Sequence, residues 1–171
     1  MHISKNNISK AATFLVVVLL FSSFSSFYHL NNRDWKKIEK NASKIFDTAQ
    51  LTFLEVEKIP DLGVTRIFSI NDCGYLVFDQ APSKFHKFEY YMIFNKKGEV
   101  LKVEVLNYNE NYGAEICNKR WLKQFQNINT SSFFSYKNSI DGISGATLSV
   151  QSISAHSWKA TEKLKRYLNQ K

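Results

Sequence analysis

The sequence predicts an α+β fold: an antiparallel sheet with helices packed mainly on one face, preceded by one N-terminal hydrophobic anchor helix. Three observations point there. Four stretches rich in β-branched and aromatic residues follow one another with short connections, amphipathic stretches flank them, and an apolar run lies near the N-terminus behind two lysines. With 171 residues and 44% hydrophobic content, the chain fits one globular domain and an appendage. The expected division is residues 1–30 as signal or membrane anchor, 31–50 as a linker helix and 51–171 as the domain.

In the appendage, Lys5 and Lys10 precede the apolar run Ala11 to Phe21, which continues through a Ser-Phe extension to Phe27. The uninterrupted part is short against the roughly 20 apolar residues of a spanning helix, and the extension brings it to that length. Phe27, Tyr28 and His29 suit the membrane interface, and no Ala-x-Ala cleavage site is present. A retained single-pass anchor is therefore expected, with export and cleavage as the alternative. Lysines and arginine flank both ends, so the positive-inside comparison does not fix the orientation.

From Arg33 to Ala49, Trp35, Ile38, Ala42, Ile45, Phe46 and Ala49 recur at helical spacing, which predicts a helix packed on the domain. Pro60, Asp61, Leu62 and Gly63 mark a turn. Strands are expected at Val64 to Ile70, Gly74 to Phe78, Phe85 to Phe94 and Glu99 to Leu106, the last two joined by a hairpin loop at Asn95, Lys96, Lys97 and Gly98. Arg120 to Gln126 reads as a short helix. Ser149 to Leu168 reads as a long one, on which Val150, Ile153, Ser157, Thr161, Leu164 and Leu168 keep one face.

The formal net charge of +8 is scattered and lacks a clustered basic stripe with interleaved aromatics, so nucleic acid is not an expected partner. Attraction to anionic headgroups, an anionic cofactor or partner, or a solvated surface all account for it. His2, His29, His86 and His156 do not cluster with carboxylates or thiols, and no metal site is expected. His156 stands nine residues beyond Thr147, about 13 Å of helical rise, too far to act as its base. Cys73 and Cys117 leave two readings open, a disulfide or two separate thiols. Asn41 and Asn129 begin glycosylation sequons, which carry little weight without a eukaryotic secretory route.

The most informative stretch is Asp141, Gly142, Ile143, Ser144, Gly145, Ala146 and Thr147, which ends where the long helix begins. Unpaired N–H groups and the positive end of the dipole make such a terminus attractive to a phosphate, and Gly145 and Ala146 are small enough to let one approach. A phosphorylated cofactor is the obvious ligand. Asp141 has two roles open to it, orienting the hydroxyl or a metal, or bonding backbone N–H groups in the turn.

These seven residues match, at every fixed position, the motif Asp, two variable residues, Ser or Thr, Gly, Ala, Thr or Ser. The chain here resembles the FMN-binding domain family of the covalent-flavin subunits of sodium-translocating NADH:quinone reductase and Rnf complexes. A second segment, Glu110, Asn111, Tyr112 and Gly113 followed by Trp121, Gln124 and Phe125, is similar in part to the family's Glu-Thr-Pro-Gly-Leu-Gly loop and Trp-containing helix; the Pro and one Gly are absent. The resemblance covers roughly residues 85 to 168.

The resemblance implies FMN held by a phosphoester on Thr147, installed from FAD by a magnesium-dependent flavin transferase. Asp141, Ser144, Gly145, Ala146, Glu110, Tyr112 and Gly113 would be cofactor-binding residues, with no catalytic residue of the chain's own. Tyr112, Trp121 and Phe125 are candidate apolar walls for the flavin ring. By the same resemblance the domain faces the extracytoplasmic side of the cell membrane and transfers electrons between membrane redox partner proteins, as a carrier or a subunit of an oxidoreductase. Two other readings stay open: a non-covalent FMN-binding sensor or regulatory domain, and a flavin-free anchored domain that holds another envelope protein.

Overall fold

Five strands in a simple meander form the frame of the computed structural model, which describes residues 30–56, 64–126 and 140–170. They are β1 (Phe53–Glu55), β2 (Arg66–Ile70), β3 (Gly74–Pro82), β4 (Lys87–Asn95) and β5 (Val100–Asn107), all antiparallel in the order β1-β2-β3-β4-β5. Helix α1 spans Asn32–Phe46, a short helix α2 spans Lys119–Leu122 between 3₁₀ turns at Ala114–Cys117 and Lys123–Phe125, and α3 spans Thr147–Asn169. The expected α+β class and antiparallel sheet are present. The anchor helix and the turn at Pro60 to Gly63 lie outside the described residues, among which no helix is long and apolar enough to cross a membrane.

The chain divides into two units, Met1–Trp35 and Lys36–Lys171. In the first, Asn31 caps α1: its Oδ1 accepts from the Asp34 N–H at 2.9 Å and its Nδ2 donates to Asp34 Oδ2 at 2.7 Å. Such a cap satisfies a donor that the first helical turn leaves open.

In the second unit, side-chain alternation along the strands sorts residues onto two faces. Ile67, Tyr75, Val77, Tyr90, Met92, Val103 and Val105 build the main core with Ile153, Ala160 and Leu164 of α3 and with Ile116, Leu122 and Phe125. The other face carries Leu76, Phe78, Tyr91, Ile93 and Glu104, all buried. Here the structure corrects the expectation of helices mainly on one face. From α1, Asn41 Nδ2 donates to Tyr91 Oη at 2.7 Å and to Glu104 Oε2 at 3.0 Å, and Lys37 pairs with Glu104 at 2.8 Å. The Phe46 ring reaches the sheet at Gly74, where an added Cβ would lie 2.8 Å from Phe46 Cζ. The physical reason is visible in β3, buried on both faces from Gly74 to Ala81: apolar residues on both sides of a strand need cover on both sides.

Glu104 is the polar centre of that second layer. Burial alone would raise its carboxyl, but the bond and charge of Lys37, the charge of Lys102 and the Tyr91 hydroxyl overrule it and hold it below the usual carboxylate range. Burial, followed by the Glu104 charge, pushes the Tyr91 phenol well above its ordinary value. Asn41, with its amide engaged here, is part of the fold rather than an open surface amide.

Strand ends differ from expectation for local reasons. β3 runs on through Asp79 and Gln80 to Pro82 because those polar residues find partners: Tyr90 Oη donates to Asp79 Oδ2 at 3.2 Å, and Gln80 Nε2 donates to Glu89 Oε1 at 3.4 Å. The hairpin loop falls at Asn95 to Gly98 as expected, with Asn95 Oδ1 accepting from the N–H groups of Lys97 and Glu99 and Gly98 at φ 80°.

Candidate functional site

Thr147 is the first residue of α3 and is exposed. Ala146, at the N-cap, offers no side-chain bond to the helix. The first amide to close a helical turn is that of Val150, which donates to Ala146 O at 2.9 Å, so the N–H groups of Thr147, Leu148 and Ser149 stand outside the helical ladder. Gly145 enters this end at φ 80°, with nothing within 4 Å of the place a Cβ would occupy. Its glycine is needed for backbone conformation rather than for room.

Three long-range braces hold this end in place. Trp121 Nε1 donates to Asp141 O at 2.9 Å, and Asp141 N donates to Gln124 Oε1 at 2.9 Å. Gly113, at φ 85°, sits against Ala146: an added Cβ would lie 2.8 Å from Ala146 Cβ and 2.8 Å from Tyr108 Oη. Tyr108 Oη donates to Tyr112 O at 2.9 Å, which requires Ser149 Oγ to donate to Tyr108 at 3.0 Å and Ser83 Oγ to donate to Ser149 at 2.6 Å. One directional chain of hydroxyls thus joins the bend after β3, the loop after β5 and the first turn of α3.

Thr147 lies between two clefts. One, of about 420 Å³, is lined by Ser83, Lys84, Phe85, Tyr108, Glu110, Asn111, Tyr112 and residues 145–149. The other, of about 570 Å³, is lined by Ile140, Gly142, Val150, Gln151, Ser154 and Ala155. Both fall within the usual range for small-molecule sites, roughly 300–1,000 Å³. In the first, Lys84 is the single basic and Glu110 the single acidic lining residue among those described.

Glu110 is 6% exposed at its side chain, and its Oε1 accepts from the N–H groups of both Phe85 and His86 at 2.8 Å. Those two amides, His86 first, hold its carboxyl below the usual range. Its visible work is to latch the bend before β4.

The predicted residues therefore divide. Asp141, Ser144, Gly145, Ala146, Thr147, Glu110, Tyr112 and Gly113 come together around one helix terminus, although Glu110 and Tyr112 precede Thr147 by more than thirty residues. Asp141 contributes its main chain, and among the described residues no hydrogen bond to its exposed carboxylate is found. Of the wall candidates Trp121 and Phe125, the structure corrects Phe125, whose ring has no exposed face to offer a ligand. Phe125 is fully buried, its ring 5.4 Å from that of Trp121 at 64°. They bracket the motif because Trp121 spends its one donor on Asp141.

His156 lies beside Asp79, 3.9 Å from Nδ1 to Oδ2, away from the Thr147 hydroxyl's reach by helical rise alone. Cys73 and Cys117 are free, half-buried thiols, and burial pushes that of Cys117 up.

Sequence reasoning missed Ser83, Lys84, Phe85, Tyr108 and Leu148. Phe85 read as the start of a strand, and the structure places it in the bend ahead of β4. Its only available signal was position, an aromatic after Pro82-Ser83-Lys84 and outside the alternation of the strand that follows.

The family model of the FMN-binding domain matches residues 86–162, a stretch that holds the Glu110–Gly113 loop, the Trp121–Phe125 bracket and the motif ending at Thr147. No curated protein matches the chain. The helix terminus, the braces and the loop after β5 thus all fall within the stretch, residues 86–162, that is similar to the FMN-binding domain family.

Proposed function

We propose that this chain is a membrane-anchored, extracytoplasmic flavoprotein that carries FMN as a phosphoester on Thr147 and serves in electron transfer. The observation that carries the reading is the exposed Thr147 hydroxyl at a helix N-terminus without a side-chain cap, opening onto two clefts. The residues present fit such a group. Three amides outside the helical ladder and the dipole suit a phosphate, and the space beside Gly145 is open to one. Tyr112, Phe85 and Leu148 supply exposed apolar surface for a ring.

Attachment treats FAD as a substrate. A bond forms between Thr147 Oγ1 and the phosphorus on the flavin side, the pyrophosphate P–O bond breaks, AMP leaves, and the hydroxyl proton passes to a base of the magnesium-dependent transferase. An exposed hydroxyl is what a separate enzyme needs. The Trp121 and Gln124 bonds to Asp141 and the packing of Gly113 on Ala146 keep the acceptor segment in one geometry. FMN, when bound, supplies one- and two-electron redox chemistry. A tether makes sense outside the cytoplasm, where a dissociating cofactor would be lost to dilution. The apolar run behind Lys5 and Lys10 supports the anchored, exported location, and membrane redox proteins are the proposed partners.

Mass spectrometry of the full chain, co-expressed with a flavin transferase and denatured, tests the attachment. The expected result is a gain of FMN less one water, kept by Thr147→Ser and lost by Thr147→Ala. Flavin released on denaturation would favour non-covalent binding, and a preparation with no flavin at all would leave only an anchored interaction domain.

A further inference from the structure

Three segments far apart in sequence bring large apolar side chains to one cleft. Among the described residues five large hydrophobic side chains stand exposed, and three of them, Phe85 (73%), Tyr112 (82%) and Leu148 (58%), line the cleft at Thr147. Single exposed apolar residues are ordinary, but a cluster of this kind marks a surface that something covers.

Phe85 is not a loose loop tip. Its own amide and that of His86 donate to Glu110 Oε1, Ser83 N donates to His86 O at 2.7 Å, and Ser83 Oγ reaches Ser149 on α3. The backbone is braced from two sides while the ring is left uncovered, the combination that preorganises a contact instead of burying it. Lys84 Nζ stands 5.0 Å from the centroid of that ring. Phe85 also falls one residue before the stretch matched by the family model.

We propose that Phe85 and Tyr112 are the two aromatic walls of the flavin-ring site, with Glu110 as the latch that presents Phe85. The proposal rests on Thr147 as the attachment point. It gives the cleft selectivity for a planar tricyclic ring, because aromatic faces reward stacking and a ribityl phosphate alone offers none. Leu148, next to the tether, adds apolar contact. Glu110 is a positioning residue: its Oε1 is engaged with backbone and acts on the ring through Phe85.

The test uses the flavinylated full chain and reads flavin emission. A tyrosine phenol in contact with an excited flavin quenches it by electron donation, whereas phenylalanine does not. Tyr112→Phe is expected to brighten the flavin several-fold, and adding Phe85→Trp in that background to darken it again several-fold, since an indole donor would then stand at the second wall. Phe85→Ala is expected to keep the FMN mass while iodide quenching rises several-fold. Glu110→Ala in the Tyr112→Phe, Phe85→Trp background is expected to restore emission by releasing the indole. A flavinylated protein whose emission and iodide access ignore position 85 overturns the walls alone, and unchanged quenching in the Glu110→Ala variant overturns the latch. A preparation without ester-bound FMN overturns the attachment, and the walls with it.

Discussion

Replacing each glycine near Thr147 by alanine separates conformational strain from steric contact, and the three positions give three different answers. Gly113 combines both. A left-handed backbone disfavours a Cβ by about 1–2 kcal/mol, and a Cβ there would meet Ala146 Cβ and Tyr108 Oη, each at 2.8 Å. Overpacking of that kind costs about 1–3 kcal/mol. The narrower unfolded ensemble of alanine offsets about 0.4–1 kcal/mol, which leaves a net loss of roughly 2–4 kcal/mol, or about 10 °C in Tm near the middle of that range. Gly145 shares the left-handed backbone at φ 80° but faces open space, so its alanine variant should lose only about 1 kcal/mol. Gly142 has neither constraint, and Gly142→Ala should stay within about 1 kcal/mol of the parent, on the stabilising side. Urea denaturation of the unflavinylated domain, followed by tryptophan emission, measures all three. If Gly113→Ala unfolds within about 1 kcal/mol of Gly142→Ala, the loop after β5 does not press on Ala146 and the account of how the two segments meet is wrong.

Four further outcomes are expected. Glu104→Ala strands the Tyr91 hydroxyl, the Asn41 amide and Lys37, and because Lys37 is partly exposed the loss should be about 2–3 kcal/mol in the same urea assay. Since the Glu104 carboxyl is held low, its contribution is complete above the unfolded value of about 4.3 and disappears as pH falls through the lower folded one; the acid slope of stability should therefore flatten in Glu104→Gln. The Phe85 and His86 amide resonances should titrate with a midpoint below the ordinary glutamate value, following Glu110, and should become insensitive to acid in Glu110→Gln. Trp121→Phe keeps an aromatic ring on Phe125 but removes the donor to Asp141 O, so a loss of about 1 kcal/mol with faster hydrogen exchange across residues 141–147 is expected; unchanged exchange would show that the bracket does not hold the motif.

Much of the frame was legible because it is local. The β4–β5 hairpin follows from Asn95 to Gly98, and α3 follows from its apolar spacing, although it starts at Thr147 rather than Ser149. The strand β1 escaped notice because three residues, Phe53–Glu55, are too few for alternation to register. The end of β3 escaped because Asp79 and Gln80 look like loop residues until Tyr90 and Glu89 are seen to pair with them. The covering of both sheet faces was hidden for a similar reason: the helical stripe of α1 predicts that it packs, not on which side.

At the site, residues 141–147 by themselves determined the turn, the small approach to the helix and the hydroxyl at its start. Those properties depend on backbone dihedrals and on hydrogen bonds four residues apart, which neighbouring residues fix. Only the tertiary structure decided that Phe125 is buried while Tyr112 and Phe85 are exposed, that Trp121 and Gln124 hold a main chain, and that Glu110 latches a bend. These roles come from contacts 25 residues apart for Glu110 and Phe85 and 66 apart for Ser83 and Ser149. An aromatic side chain is core or wall according to what the rest of the chain lays over it, and no periodicity in its own segment carries that information.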